Sequence, residues 1–405
     1  MRPFSKVVLS LVVTLLEPVA TTPVRGDVLS SRAIAGRYII GFNEGVDAAA
    51  HTQWARSVHE RNIKRRSDAS VQTNGIETVF RRLNAYVGNF DPATIEEIRA
   101  NTEVAYVEVD RVFELFQTES SGLVTQANST WGLALVSHRD PNETDYVYDG
   151  SAGEGHYAYV LDSGINIDHV DFGGRASLGY NAVGTPENHY DNAGHGTHVA
   201  GTIGSNTYGV SKKANLVSVK ISNETGYYFS AMIDGIDWVL DDALTNNRMN
   251  RSVVNISGGG PYSQAVANAC LQAYQKGMTI VAAAGNGNSS SSWISPAGNN
   301  GVIAVASVDR NRKRAPLSNW GPVIDIFAPG EDTLSTWIGS PTAIHVTNGT
   351  SMASPHVAGT VLYLQKLEGL ATPDEVLNRL VELSTKDVVE DPQDSPNRLL
   401  YTGAA

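Results

Sequence analysis

Gly349-Thr350-Ser351-Met352-Ala353-Ser354-Pro355-His356-Val357-Ala358-Gly359 is the stretch around which the chain is organised. A nucleophilic serine needs exposure, donors for a developing oxyanion, and a base within reach. Gly349 and Thr350 permit a sharp turn before Ser351. The apolar run from Val357 to Leu364 predicts a buried helix with Ser351 at its N-terminal end. Free N–H groups at such an end favour negative charge. Pro355 is expected in the first helical turn, where its missing N–H costs little. Alone, the stretch also reads as a glycine-punctuated loop entering a core helix.

Two further stretches narrow the choice. In Val160-Leu161-Asp162-Ser163-Gly164-Ile165 an apolar strand delivers a carboxylate at its C-terminal edge, where open α/β sheets place their chemistry. A turn aspartate would look the same. In Gly194-His195-Gly196-Thr197-His198-Val199-Ala200-Gly201 a histidine flanked by glycines opens an apolar helix. A metal pair or a helix cap is the alternative, but the His-Glu-x-x-His spacing of zinc proteases is absent. Asp, His and Ser, in that order and each at an element end, resemble the subtilisin superfamily of serine proteases. The likeness is to its proteinase K and secreted fungal alkaline protease branch. It implies Asp162, His195 and Ser351 as the catalytic residues.

The resemblance also implies a fold: a largely parallel sheet with helices on both faces, preceded by a small α+β (βαββαβ) propeptide domain. The residues agree. Leu216–Lys220, Val253–Ile256 and Thr279–Ala283 are apolar runs of strand length, with helical stretches such as Ser230–Asp242 between them. An α/β-hydrolase esterase is disfavoured, because Gly349–Ala353 is not Gly-x-Ser-x-Gly and the order is Asp, His, Ser. A catalytically inactive binding protein on this fold is the other alternative. Fluorophosphonate labelling separates it from an enzyme.

Substrate residues follow. Ser257-Gly258-Gly259-Gly260 leaves a strand with bare backbone, to which an extended peptide can pair. In the family this stretch walls the pocket for the side chain before the scissile bond. Gly226-Tyr227-Tyr228 resembles the opposing edge. Ala283-Ala284-Gly285-Asn286 ends another buried strand, so the Asn286 amide can serve an oxyanion together with the Ser351 N–H. Ala284 and Gly285 are counted with Ser257, Gly258, Gly259 and Gly226 as substrate contacts. In proteinase K a matching aspartate and two matching carbonyls bind calcium; a solvated aspartate at a strand is the alternative reading of the residue here. The resemblance implies Asp325 and the carbonyls of Asn300 and Val302 as the calcium ligands here, a chemically sensible oxygen shell.

The N-terminal part reads separately. Arg2, Lys6 and the apolar run Val7–Leu16 fit a signal peptide over residues 1–20 and a secreted product. Residues 21–121 are the expected inhibitory propeptide, folded over 37–116. Within it, strands at Arg37–Phe42, Glu77–Phe80, Leu83–Val87 and Val104–Val109 alternate with helices over 46–63 and from Pro92. Residues 64–74 are a solvated basic loop. Residues 117–130 read as a polar Gly/Ser-rich linker, and the resemblance implies that the mature chain, 122–405, begins near Gly122.

The 405 residues are 41% hydrophobic and 18% charged, with a net charge of −12. From residue 122 onward 16 Lys/Arg face 27 Asp/Glu, which argues against nucleic acid as a partner. Cys270 is the single cysteine and is expected to be a small buried hydrophobe. Proteinase K carries disulfides, so this is a departure from it, whereas the alkaline proteases of the same branch manage without them. Sequons occur at Asn128, Asn142, Asn223, Asn250, Asn255, Asn288 and Asn348. Asn255 and Asn348 are expected to stay unmodified, and Asn223, Asn250 and Asn288 are the better acceptors. The expected partners are protein and peptide substrates and the chain's own propeptide. No membrane contact is expected, and the protein is expected to be a monomer.

Overall fold

Apolar runs too short for helices become strands, and the longer amphipathic stretches between them become helices. The computed structural model describes residues 32–65, 74–80, 83–112, 122–184, 188–223 and 226–404. The signal segment, most of the basic loop and the linker up to Ser121 lie outside the described residues. The chain divides into two compact units, Met1–Thr118 and Glu119–Ala405.

In the first unit β1 (Arg32–Phe42) leads to α1 (Ala48–Lys64), β2 (Gly75–Phe80) and β3 (Ala85–Asn89). Helix α2 (Pro92–Arg99) and β4 (Val104–Val112) complete the βαββαβ order. The strands form an antiparallel sheet in the order β2-β3-β1-β4. Pro92 occupies the first helical position and Asp91 caps it, accepting from the N–H groups of Ala93 and Thr94. Ile40, Tyr86, Phe90, Ile95 and Ile98 fill the core between sheet and helices.

The second unit begins with β5 (Leu123–Gln126), α3 (Trp131–Ser137), β6 (Tyr146–Asp149), β7 (Tyr157–Asp162) and β8 (Ala176–Asn181). Helix α4 (His195–Gly204), β9 (Asn215–Lys220), β10 (Ser222–Asn223), β11 (Gly226–Tyr227), α5 (Phe229–Thr245) and β12 (Ser252–Ile256) follow. Next come β13 (Gly260–Pro261), α6 (Gln264–Gln275), β14 (Thr279–Ala283), β15 (Ile294–Ser295) and β16 (Ile303–Val308). The chain ends with β17 (Ile326–Pro329), β18 (Thr333–Thr336), β19 (Ile344–Thr347), α7 (Thr350–Glu368), α8 (Pro373–Leu383), β20 (Thr385–Lys386) and β21 (Arg398–Leu399).

Nine strands form the main sheet in the order β20-β21-β17-β16-β14-β12-β7-β9-β8. Every pairing is parallel except β20 with β21 at one edge. One face carries α4 and α7, with Val199, Ile203, Val357, Val361 and Leu362 in its core. The other carries α5 and α6, with Met232, Ile236, Val239, Val266 and Cys270. Each such Val or Leu contributes roughly 1.5–3 kcal/mol when fully buried. Cys270 is the buried hydrophobe expected, its thiol pushed up to about 12 by burial.

Two expectations are corrected. The linker does not run to residue 130: Leu123–Gln126 pairs antiparallel with Tyr146–Asp149. Pro355 is not in the first turn, because α7 already starts at Thr350 and places Pro355 sixth in the helix. Among the described residues, no helix is long and apolar enough to cross a membrane.

Candidate active site

Strand β7 ends on Asp162, whose side chain is fully buried. Its Oδ1 accepts from the backbone N–H of Ser163 at 2.7 Å and stands 2.7 Å from His195 Nδ1. His195 opens α4, and its side chain keeps 32% of its surface exposed. Gly194 cannot cap that helix with a side chain, so Asp191 does so from outside. Its Oδ1 accepts from the N–H of Gly194, and its Oδ2 accepts from the N–H and hydroxyl of Thr197. Gly196 is required by close approach: a Cβ there would stand 2.2 Å from the Gly164 carbonyl. Burial pulls the His195 imidazole down, but the charge and hydrogen bond of Asp162, with Asp191 behind, outweigh it and raise its pKa.

Ser351 is the second residue of α7, which packs against α4. Its Oγ donates to the Ser257 carbonyl at 2.9 Å, so in this structure the hydroxyl is not hydrogen-bonded to His195. Pro355 has no N–H to give to the Ser351 carbonyl one turn back. That carbonyl instead accepts from Ser257 Oγ at 2.9 Å. Ser257 Oγ in turn accepts from Asn255 Nδ2 at 3.0 Å, and Asn255 Oδ1 accepts from Ser354 Oγ at 2.7 Å. The helix break and the strand end are thus tied together at the serine.

Asn286 lies beside them. Its Oδ1 accepts from both the N–H and the hydroxyl of Thr350, each at 2.9 Å. With the oxygen end committed, the Nδ2 end is left to donate. It sits 3.0 Å from where a Cβ on Gly349 would be. Gly285 has φ +102°, in the region that favours glycine, and turns the chain out of β14. Asn319 steadies this turn: Oδ1 accepts from the N–H groups of Gly287 and Ser289, and Nδ2 donates to the Ala284 carbonyl. A cavity of about 270 Å³ opens between Gly258–Gly260 and Gly285–Gly287, with Ser351 and Asn286 at its rim and Ile294 and Asn319 within.

Residues 153–398 match the subtilase family, and residues 37–116 match the peptidase inhibitor I9 family. The chain belongs to the subtilase family. Alkaline protease 1 of Emericella nidulans is 48% identical over 93% of each chain. Alkaline protease 1 of Aspergillus clavatus is 47% identical over 96% of this chain and 97% of its own. Alkaline proteinase of Hapsidospora chrysogena is 46% identical over 91% and 92%. The crystal structure of a cold adapted subtilisin-like serine proteinase superposes with a TM-score of 0.64 at 39% identity. It covers 68% of this chain and 99% of that one. The protein is a subtilisin-like serine protease carrying an I9 inhibitor domain.

In this subtilase, Ser257, Gly258, Gly259, Gly285, Asn286 and Ser351 meet at one cavity. Ala284 does not line it, because that residue is fully buried and its carbonyl is taken by Ser291 Oγ and Asn319 Nδ2. Ala283 lines it instead. Gly226 lies in the short β10–β11 hairpin with φ +135°. Asp325 precedes β17; its Oδ2 accepts from the Ala304 N–H, and its surroundings push its carboxyl up to about 6, chiefly by burial. Among the described residues, no three His, Cys, Asp or Glu side chains gather as a metal cluster. Sequence reasoning missed Thr350, Asn255 and Asn319. Asn255, a polar residue inside an apolar strand, carried a signal; Asn319, in a surface-like turn sequence, carried none.

Proposed function

We propose that this subtilase is a secreted endopeptidase with broad side-chain tolerance, made as a zymogen that processes itself. Ser351 Oγ turns from the Ser257 carbonyl to His195 Nε2, gives up its proton and attacks the scissile carbonyl. His195 returns that proton to the leaving amine, and water hydrolyses the acyl-enzyme by the same relay. Asp162 holds the Nδ1–H tautomer and stabilises the imidazolium. Asn286 Nδ2 and the Ser351 N–H receive the oxyanion. The observation that carries this reading is the fully buried Asp162 carboxylate, 2.7 Å from His195 Nδ1 at the carboxyl edge of the parallel sheet. Ser351→Ala is expected to abolish casein hydrolysis, and a fluorophosphonate to label wild type at Ser351. A mutant that cleaves casein at the wild-type rate overturns the assignment, and turnover of short-chain esters but not casein would make the protein an esterase.

Calcium at Asp325, with carbonyls of Asn300 and Val302, belongs to the same reading. A carboxyl raised by burial lacks sufficient counter-charge, and a hard cation would supply it. The apolar segment Val7–Leu16 supports secretion. Asn250 and Asn288 are exposed and suit glycosylation, whereas Asn255 is fully buried.

A further inference from the structure

Among the described residues of the β10–β11 hairpin, Tyr227 is the one whose side chain reaches the catalytic pair. Its hydroxyl lies 3.2 Å from His195 Nδ1, and its ring stands edge-on to the imidazole, with centroids 6.4 Å apart. The ring lies against Gly258, where a Cβ would come within 2.6 Å of it. The phenol is therefore wedged between the histidine and the wall of the substrate cavity.

Hydrogen-bond accounting decides what the hydroxyl does there. Both donors to Asp162, the Ser163 N–H and His195 Nδ1–H, converge on Oδ1. Oδ2 is buried and has no partner of ordinary geometry among the described residues. Nδ1 cannot be an acceptor, because an imidazole lone pair 2.7 Å from a carboxylate oxygen would be repelled. The Tyr227 O–H proton must therefore go elsewhere; the Ser222 hydroxyl also reaches the phenol, but Asp162 is the adjacent anion and the stronger acceptor. Burial first, and Asp162 second, hold the phenol well above its ordinary pKa, so it keeps its proton.

We propose that Tyr227 is a positioning residue of the triad, donating its hydroxyl proton to Asp162 and so fixing the carboxylate that orients His195. This rests on the triad assignment made above. A donor on Asp162 draws charge away from the imidazole, so it trims the rise in the His195 pKa that the carboxylate imposes. The titratable groups facing the imidazole are Asp162, Tyr227, Asp191 and His198. Burial holds His198 down to about 4, so it stays neutral through the range concerned.

The test is Tyr227→Phe in the full chain, which keeps the ring and removes one oxygen, compared with Tyr227→Leu. The probe is a peptide amide substrate. Both variants are expected to lose about tenfold in kcat with KM nearly unchanged, the scale of one hydrogen bond to a charged group. In Tyr227→Phe the acid limb of kcat/KM should also move to higher pH. Wild-type kcat and an unmoved limb in Tyr227→Phe overturn the proposal. So does a defect in Tyr227→Leu alone, which would make the ring a packing element. A raised KM with unchanged kcat would make Tyr227 a wall of the substrate cleft, and that too overturns it. Ser351→Ala, run in parallel, separates the two readings: an active Ser351→Ala means the triad assignment itself has failed.

Discussion

The proposed oxyanion role of Asn286 rests on its oxygen being already occupied, which leaves the amide N–H groups to donate. Thr350 supplies two donors to Oδ1, which fixes which end of the amide faces the cleft. Asn286→Ala is therefore expected to lower kcat by about 10²–10³ with KM nearly unchanged, as for any donor that acts only when the oxyanion forms. A large rise in KM with unchanged kcat would contradict that role. The pH dependence follows from His195. In the proposed mechanism it is the base and must be neutral; burial lowers its pKa, but Asp162 outweighs burial and raises it above 6.5, so kcat/KM should climb with pH through a value above 6.5. The stability sign is opposite. A histidine raised in the folded state contributes stability fully present below its unfolded pKa and lost as pH rises through the folded one. A kcat/KM profile whose acid limb lies below 6.5 would show that Asp162 does not dominate. At this scale the three proposed catalytic residues stand out in the sequence because each sits at an abrupt change of pattern, a strand end or a glycine-flanked helix start. The residues that aim them do not. Thr350 and Asn319 act through side-chain contacts between segments far apart in sequence, which no local pattern carries.

The elements behave likewise. Strands β7, β9, β12 and β14 were readable because both faces of a central parallel strand are buried and the run is apolar throughout. Strand β5 was taken for linker because Leu123, Val124 and Thr125 are exposed, so no apolar alternation marks it. Pro355 misled by suggesting a helix start; what tolerates it inside α7 is the Ser257 hydroxyl on the Ser351 carbonyl. The junction before β17 carries the metal prediction. Asp325 titrates near 6 when folded, against an ordinary value of 3.8. The folded state then binds more protons over that interval, so stability is lost as pH rises from about 3.8 through 6. A calcium ion on the ionised carboxylate should restore it by binding only the folded form. The thermal midpoint and autolysis lifetime of the mature enzyme should thus improve with calcium above pH 6, and the gain should fade below it. No effect of chelator, or the same effect in Asp325→Ala, would dispose of the site.

For the whole molecule the question is why a protease carries an N-terminal domain at all. The main sheet joins strands whose spatial order jumps along the chain, with β7 between β12 and β9, and β21 beside β17. Such contacts are non-local, and their loop-closure cost makes folding slow. A domain synthesised first, with a compact antiparallel sheet of its own, would template that step if the proposed zymogen reading holds, and its match to the peptidase inhibitor I9 family suits it to block the finished enzyme. Removing it requires a cut in the segment joining the two units, and the polar residues around Ser121–Gly122 are the expected place. If the enzyme performs that cut itself, the nucleophile is needed for maturation as well as for turnover. Ser351→Ala precursor should then remain joined across Ser121–Gly122, while wild type is cut there, when both are made in a host lacking related proteases. Mass spectrometry of the products reads the result directly. A cut Ser351→Ala protein with the wild-type N-terminus would mean that another protease matures this subtilase, and that its own serine serves only substrate hydrolysis.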